Sequence, residues 1–391
     1  MPSIKSILGR SFATSLYYVF RVFPIKKNKI FVKNFYGKGF GDSPKYIIDS
    51  LLKSKNGYDI VWCVKDSYDF PMGIRTVSIN GFKGLVKTIF EQTTAKVWID
   101  NSRKDRYERK RKGQYYIQTW HGDIGVKKIE GDCLEKIPPL EILNYYADSK
   151  MIDLFVCGNK WFKDRIKERM FYEGECALCG LPRRDIFYSN DMLFKNNIRK
   201  QIGIPEGAKL LLYVPTFRDK DFKNKQVGGY ANNLNWNILL EALNHRFGGE
   251  WYGLMRLHPH AAKHSRNLVL PQNVINVTEY PDISELMCIS DVCISDYSSA
   301  LFDFAITKKP GFIYAPDKND YVDERGYLFT DEELPFTVST DIKELVSNIN
   351  KFEMDDYLKR HSSFYNDMIQ VCEDGHASEY LVGRIKGVCE R

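Results

Sequence analysis

The sequence predicts an α/β protein built from two doubly wound halves, and three observations carry that reading. Short apolar runs alternate with helix-like stretches along most of the chain, the pattern of parallel sheets covered on both faces. The alternation stops and restarts between residues 185 and 200. The 391 residues also exceed what one ordinary core accommodates, so two domains are expected.

Taken in order, Ile4, Ile7, Leu8, Phe12, Leu16, Val19, Phe20 and Phe23 recur at helical spacing, flanked by Lys5, Arg10 and Arg21 and closed by Pro24. This is the pattern of an amphipathic helix in a membrane interface, or of a first helix packed on its domain. Residues 30–35 read as a strand, 37–41 as a loop with three glycines and 44–54 as a helix. The runs 60–64 and 76–79 are strands, and 84–92 is a helix. Strands follow at 96–100, 115–119 and 154–157, then a helix at 161–170. In the second half, 187–203 carries a helix and 204–207 a turn. Strands are expected at 209–214, 251–257, 274–277, 292–294 and 311–314, with helices at 236–245, 283–289 and 298–306. The stretch 217–234, rich in Lys, Asp, Asn and Gly, reads as a loop beside a ligand site. The expected organisation is a membrane-associating segment at 1–24, one Rossmann-like domain at 25–190, and a second at 191–391 that includes the C-terminal helices.

The net charge of +7 suits a protein that handles phosphates or rests on an anionic membrane surface. With no recognition module and no concentrated basic stripe, nucleic acid is not an expected partner. Nine cysteines, an odd number without regular spacing, indicate reduced thiols. Cys176 and Cys179 form a CxxC without the second pair a zinc site needs, so no metal is expected there. No run of 18 apolar residues and no clear signal peptide is present, so no transmembrane helix is expected.

The residues that suggest chemistry sit where strand-like runs stop. His121 ends the run Tyr115-Tyr116-Ile117-Gln118-Thr119-Trp120, and Gly122 leaves room beside it. A histidine there suits a general base near neutral pH, with Asp123 or Asp132 to orient its ring. Lys127 and Lys128 follow as candidate phosphate contacts. His258 lies in Arg256-Leu257-His258-Pro259, where the proline forces a loop. Its neighbours His260 and His264 lack the carboxylate or thiolate ligands of a transition-metal site. Arg218 closes Pro215-Thr216-Phe217-Arg218 with a guanidinium suited to a phosphate. Ser295-Asp296-Tyr297-Ser298-Ser299 ends a strand and starts a helix. Ser298, Ser299 and the helix amides suit a phosphate, and Asp296 suits a ribose hydroxyl or a loop-setting role. Near the C-terminus, Gly375 permits a tight turn and Asp374 suits a hydrogen bond to a ligand or a cap for the last helix, which makes both candidate substrate contacts. Gly37, Gly39 and Gly41 miss the dinucleotide spacing and instead give an acceptor room against the backbone.

These motifs together resemble those of the CDP-glycerol glycerophosphotransferase family, the teichoic acid primases and polymerases. Thr119-Trp120-His121-Gly122 with Lys127-Lys128 resembles the acceptor-side motif. Pro215 to Arg218, Leu257-His258-Pro259 and Ser295 to Ser299 with Phe302-Asp303 resemble the nucleotide-side motifs, and Asp374-Gly375 with Ala377-Ser378 the C-terminal one. The resemblance runs in order from about Lys29 to Ser378, and the chain's short length looks like the primase type. It implies a GT-B fold, two Rossmann-like domains with the active site in the interdomain cleft. It also implies a peripheral enzyme on the cytoplasmic face of the membrane, with a CDP-polyol donor, CDP-glycerol first, and a lipid-linked glycan acceptor. No cofactor is implied, and the oligomeric state is left open, a homo-oligomer included. His121 would then be the catalytic base, and His258 and Arg218 would bind the donor pyrophosphate. Ser298 and Ser299 would hold phosphate, with Asp296 shaping that site. Members often carry threonine-proline just after the His-Gly; Asp123-Ile124 stands there in this chain. The main rival is a GT-B glycosyltransferase using a nucleotide sugar. A rival of another class is a non-catalytic protein that binds membranes or polyanions through the basic N-terminus.

Overall fold

The computed structural model describes residues 4–54, 57–216, 234–257, 265–266, 268–318 and 326–391, with side chains from residue 9 onward. The chain forms two compact units. The first comprises Met1–Asp123, Ile129–Tyr188 and Val371–Arg391; the second comprises Ile124–Lys128 and Ser189–Gln370.

The first unit holds a parallel sheet of seven strands: β1 (Lys26–Lys33), β2 (Asp59–Val64), β3 (Ile74–Ser78), β4 (Ala95–Asp100), β5 (Tyr115–Gln118), β6 (Leu154–Cys157) and β7 (Glu175–Leu178), in the order β3-β2-β1-β4-β5-β6-β7. Successive side chains of a strand point to opposite faces. Ile30, Val32, Ile60, Trp62, Val97 and Ile99 therefore enter one buried cluster, and Phe31, Val61, Cys63 and Trp98 the other. Both faces are covered, which is why the strands read as continuous apolar runs rather than as alternating ones. The short β7, Glu175-Cys-Ala-Leu178, lacks such a run, and the sequence reading passes over it.

Two helices on one face set the limits of this unit. Helix Asp42–Lys53 packs there, and beside it lies the last helix, Ala377–Glu390, which contributes Leu381, Val382, Ile385 and Cys389 to the first cluster. The expected assignment of 191–391 to one domain thus differs from the structure, because the apolar stripe of the last helix is buried on the first sheet. The segment expected to stand apart at 1–24 also belongs to the first unit. Its helix Ile4–Val19 packs on helix Gly81–Thr94. Ala13 and Tyr17 are buried, and Tyr17 Oη donates to Gln92 Oε1 at 2.6 Å. The outer side of that helix and the turn after it expose Phe12, Val19, Val22 and Phe23.

The second unit repeats the plan with β8 (Lys209–Val214), β9 (Trp251–Met255), β10 (Val274–Asn276), β11 (Val292–Ser295), β12 (Gly311–Tyr314) and β13 (Thr337–Ser339), in the order β10-β9-β8-β11-β12-β13. The three-residue β13 has no sequence signal of its own. The five residues Ile124–Lys128 join this unit. Leu328 N donates to Val126 O at 2.8 Å, and Lys127 bridges to Tyr327. Lys127 and Lys128 therefore lie in the second unit, not in the 25–190 domain expected to carry them.

Burial of the last helix makes a direct prediction. Ile385→Ala should destabilise the first unit by about 2–4 kcal/mol, the usual cost of a buried large-to-small change. Hydrogen exchange should show β4 losing protection while β11 keeps it. Equal loss in both strands would contradict the division.

Candidate active site

In parallel α/β sheets, ligands collect beyond the carboxyl ends of the strands, where the strand order reverses. In the first unit that point lies between β1 and β4, and His121 follows β5, the next strand over. Thr119 N donates to Asp100 O at 2.9 Å and keeps the turn after β5 stitched to β4. Trp120 then takes a φ of 53°, a conformation that costs an L-residue ~1–2 kcal/mol. Gln118 holds it there: its Oε1 accepts from Trp120 N at 2.9 Å, and its Nε2 donates to Ser102 O at 3.0 Å and Tyr116 Oη at 2.8 Å.

The turn brings His121 to the surface with Nδ1 2.7 Å from Asn101 O. A carbonyl oxygen only accepts, so Nδ1 carries the proton, and in the neutral ring the lone pair is on Nε2. That is the tautomer a general base requires. The Trp120 ring centroid lies 4.4 Å from the imidazole and the Phe35 ring 5.5 Å from it, edge-on. Below, the Arg103 guanidinium lies 5.6 Å from the Trp120 ring and is itself paired with Glu130 and Asp148. Asp100, one residue before Asn101, is buried against Lys104; burial pushes its carboxyl up to about 6, against the pull of Lys104 and Lys33.

Neither carboxylate expected to orient the imidazole does so. Asp132 accepts from Arg169 Nε at 2.8 Å and from Ile129 N at 3.1 Å. Asp123 points inward: its Oδ1 accepts from Arg184 Nη2 at 2.6 Å, and its Oδ2 from Asn159 Nδ2 at 2.7 Å and Gly158 N at 3.1 Å. The same Arg184 donates through Nη1 to Glu373 Oε1 at 2.7 Å, and Glu373 Oε2 accepts from Leu181 N at 3.0 Å. All three side chains are buried. A Cβ on Gly158 would lie 2.5 Å from Asp123 Oδ2 and 2.7 Å from Glu373 Oε1, so only glycine fits under the cluster. Two carboxylates share one guanidinium here. Burial, with Asp123 close by, holds the Glu373 carboxyl up at about 7 against the pull of Arg184.

Asp374 and Gly375 reach this region through their neighbour Glu373. Asp374 Oδ1 accepts from His376 N at 2.9 Å and closes its own turn. Gly375 has a φ of 83°, and a Cβ there would lie 2.7 Å from Tyr188 Cβ. The last helix is capped by Asp185, which accepts from Ala377 N at 3.1 Å and Ser378 N at 2.8 Å.

In the second unit the order reverses between β8 and β11. Asp296 spans that gap: its carboxylate accepts from Thr216 N at 2.9 Å and Thr216 Oγ1 at 2.9 Å, and from Tyr297 N at 2.6 Å. Of its two expected roles, these are the contacts of a loop-setting residue. Ser298 caps the short helix Ser299–Ala305, its Oγ accepting from Ala300 N at 3.2 Å. A Cβ added to Gly125 would lie 3.7 Å from Ser299 Cβ, so the Ile124–Lys128 stretch meets this loop at Gly125, while Lys127 bridges to Tyr327 and Lys128 lies against Gly326. Arg218 and His258, and with them the loop at 217–233, lie outside the described residues. Among the described residues no group of His, Cys, Asp or Glu is arranged to hold a metal ion.

Sequence reasoning missed Asn101, Gln118, Arg184 and Glu373. Asn101 carries a usable cue, a small polar residue directly after an apolar strand. Glu373 carries none, because its partners lie far off in sequence; Gln118 bonds Tyr116 and Trp120 beside it, but a glutamine ending an apolar run does not announce that its side chain will hold the turn. Arg184 is recognisable only as half of an arginine pair after Pro182.

A family model described as CDP-Glycerol:Poly(glycerophosphate) glycerophosphotransferase matches residues 15–387. A teichoic acid poly(glycerol phosphate) polymerase of Staphylococcus epidermidis is 30% identical over 91% of this chain and 50% of its own length. A teichoic acid glycerol-phosphate transferase of Staphylococcus aureus is 29% identical over 97% of this chain and 98% of its own. The chain thus spans half of the first relative and nearly all of the second. Among solved structures, the wall teichoic acid polymerase TagF soaked with CDPG superposes with a TM-score of 0.84 at 26% identity, covering 99% of this chain and 96% of that one.

The shared guanidinium predicts a pH dependence. A carboxyl whose pKa is higher folded than unfolded favours folding at low pH. Its contribution is lost as pH rises from the usual 4.5 through about 7. Glu373→Gln should therefore match the parent near pH 4.5 and exceed it at pH 8, by on the order of 3 kcal/mol. Chemical denaturation of both proteins across that range checks this; parallel profiles would refute it.

Proposed function

The chain belongs to the CDP-glycerol:poly(glycerophosphate) glycerophosphotransferase family, and from that premise we propose that it acts as a GT-B transferase. It moves glycerol phosphate from CDP-glycerol to a hydroxyl of a lipid-linked saccharide acceptor and releases CMP, in the synthesis of teichoic acid or a related surface polymer. The observation that carries this reading is the His121 ring, fixed by Asn101 O with Nε2 as its basic nitrogen.

The chemistry follows from the donor. The acceptor oxygen attacks the phosphorus that bears glycerol, its proton passes to His121 Nε2, and the bond to CMP breaks. Charge then grows on the phosphoryl oxygens and the leaving group, so fixed donors lower the barrier, each by about 3 kcal/mol. Arg218, His258, Lys127 and Lys128 supply positive donors in this proposal, and Ser298 and Ser299 supply hydroxyls. Asp296 keeps the β8 and β11 loops in register for them. Asp123, where relatives often have threonine, supports the turn that holds the base from below.

The N-terminus supports a peripheral place on an anionic membrane. No helix among the described residues is long and apolar enough to cross a bilayer. Val19 is 58% and Val22 79% exposed, and exposed Phe82 stacks on Phe12 at 5.5 Å. Phe20, Phe82, Val86 and Phe90 line a shallow apolar depression edged by Lys83 and Lys87. Aromatic rings beside lysines suit the boundary between acyl chains and acidic headgroups.

Two experiments test this. His121→Ala should lower turnover by roughly 10²–10⁴-fold with CDP-glycerol affinity unchanged; full activity in the folded variant would remove the base. In the same assay, CDP-glycerol, CDP-ribitol and UDP-sugars are compared by CMP against UDP release, and UDP release would favour a glycosyltransferase. Separately, the parent should sediment with vesicles containing phosphatidylglycerol. Val19→Glu with Val22→Glu should weaken that binding while sparing turnover of a soluble acceptor, and unchanged sedimentation would move the membrane contact elsewhere.

A further inference from the structure

The loop after β1 carries the glycines expected to leave an acceptor room, and its backbone is unusual. Phe35, Tyr36 and Gly37 have φ of 40°, 58° and 94°, three left-handed residues in succession. Gly37 is required there, because a Cβ would lie 3.2 Å from Lys65 N. The other two are not glycine and sit in a conformation that L-residues disfavour. Such strain persists only where the surroundings over-determine it, and it clusters at functional sites.

Two asparagines impose it here. Asn34 O accepts from Gly37 N at 2.7 Å and Lys38 N at 2.8 Å, and Asn34 Nδ2 donates to Lys38 O at 3.0 Å. Asn101 Oδ1 accepts from Phe35 N at 2.8 Å, and Asn101 Nδ2 donates to Asn34 Oδ1 at 2.7 Å. Asn101 is also the residue whose carbonyl fixes His121. One residue therefore sets both the proposed base, through its backbone, and the strained Phe35, through its side chain.

The product of this strain is an aromatic ring beside the imidazole. The Phe35 centroid lies 5.5 Å from that of His121, with the planes at 61°. Trp120, the other ring on His121, is 8% exposed, whereas Phe35 is 36% exposed. More than a third of this phenyl ring stays open to solvent. It offers a flat apolar face to a ligand that brings a hydroxyl to Nε2. The C–H face of a pyranose has that shape, with its hydroxyls at the ring edge. A glycerol phosphate chain is flexible and anionic and has no such face.

We infer that Phe35 is the acceptor-binding platform of this site, stacking against the pyranose ring whose hydroxyl is deprotonated by His121. This rests on the transferase reading above and adds the residue that selects a sugar-ended acceptor over a glycerol-ended one.

The test uses the full chain with Phe35→Asn, which removes the ring but tolerates a left-handed φ, and Phe35→Tyr, which keeps the ring. KM is measured for two soluble acceptors on the same alkyl chain, one ending in a hexosamine and one in glycerol phosphate. Phe35→Asn should raise the KM for the hexosamine acceptor about tenfold, the scale of one lost aromatic contact. It should leave the KM for the glycerol-ended acceptor unchanged, and Phe35→Tyr should keep the parent values for both. An unchanged hexosamine KM, an equal rise for both acceptors, or a parent enzyme that uses only the glycerol-ended acceptor overturns the proposal. No CMP release from CDP-glycerol by the parent removes the transferase reading first, and the platform with it.

Discussion

Arg184 is shared by the buried carboxylates of Asp123 and Glu373, and four stretches of the first unit converge on that guanidinium. Asp123 comes from the turn after β5, Gly158 and Asn159 from the end of β6, Leu181 and Arg184 from the segment after β7, and Glu373 from the returning C-terminus. A buried charge left without its partner costs about 3–5 kcal/mol. Loss of Arg184 therefore strands the Asp123 charge, whereas a neutral Glu373 still leaves Arg184 paired with Asp123. Cys372 N also donates to Gly158 O at 2.9 Å, so the backbone is tied where the charges meet. His121 lies two residues before this anchor in the chain.

Both units prepare their reversal point before any ligand arrives, by different means. In the first, a backbone carbonyl sets a ring and a side-chain amide sets a strained loop, both from Asn101. In the second, one carboxylate, that of Asp296, bridges the ends of β8 and β11. Transition-state stabilisation is most effective when donors and bases need no reorganisation at the moment of reaction. Gln118, Asn101 and Asp296 at these two points are buried, and their hydrogen bonds fix loop backbone, as the proposed transferase would require.

Much of this fold was legible because buried parallel strands announce themselves. Ile30 to Val32, Ile60 to Val64 and Leu210 to Val214 are apolar without a break, and a strand end followed by His121 or Asp296 marks a site edge. What was not legible depends on distance along the chain. The last helix looks like any amphipathic C-terminal helix, and only contact with Val97 and Ile99 shows which sheet it covers. Residues 124–128 carry no boundary signal, yet they belong with Tyr327 and Leu328. Asp123 invited a catalytic reading because it neighbours a histidine. Its actual partner, Arg184, is 61 residues away.

The returning C-terminal segment has a consequence for how the protein is made. Leu381, Val382, Ile385 and Cys389 are part of the first sheet's core, so that core stays incomplete until synthesis has passed through the entire second unit. The second unit's later stretch, from Ser189 to Gln370, is contiguous and closes over short separations. The contacts of β4 with the last helix span nearly 300 residues, and pairings of that reach form slowly. On the ribosome the order of maturation is therefore inverted: the half that starts first finishes last. Until it does, Val97, Ile99 and Ile117 present an uncovered apolar face of the kind that recruits chaperones or aggregates.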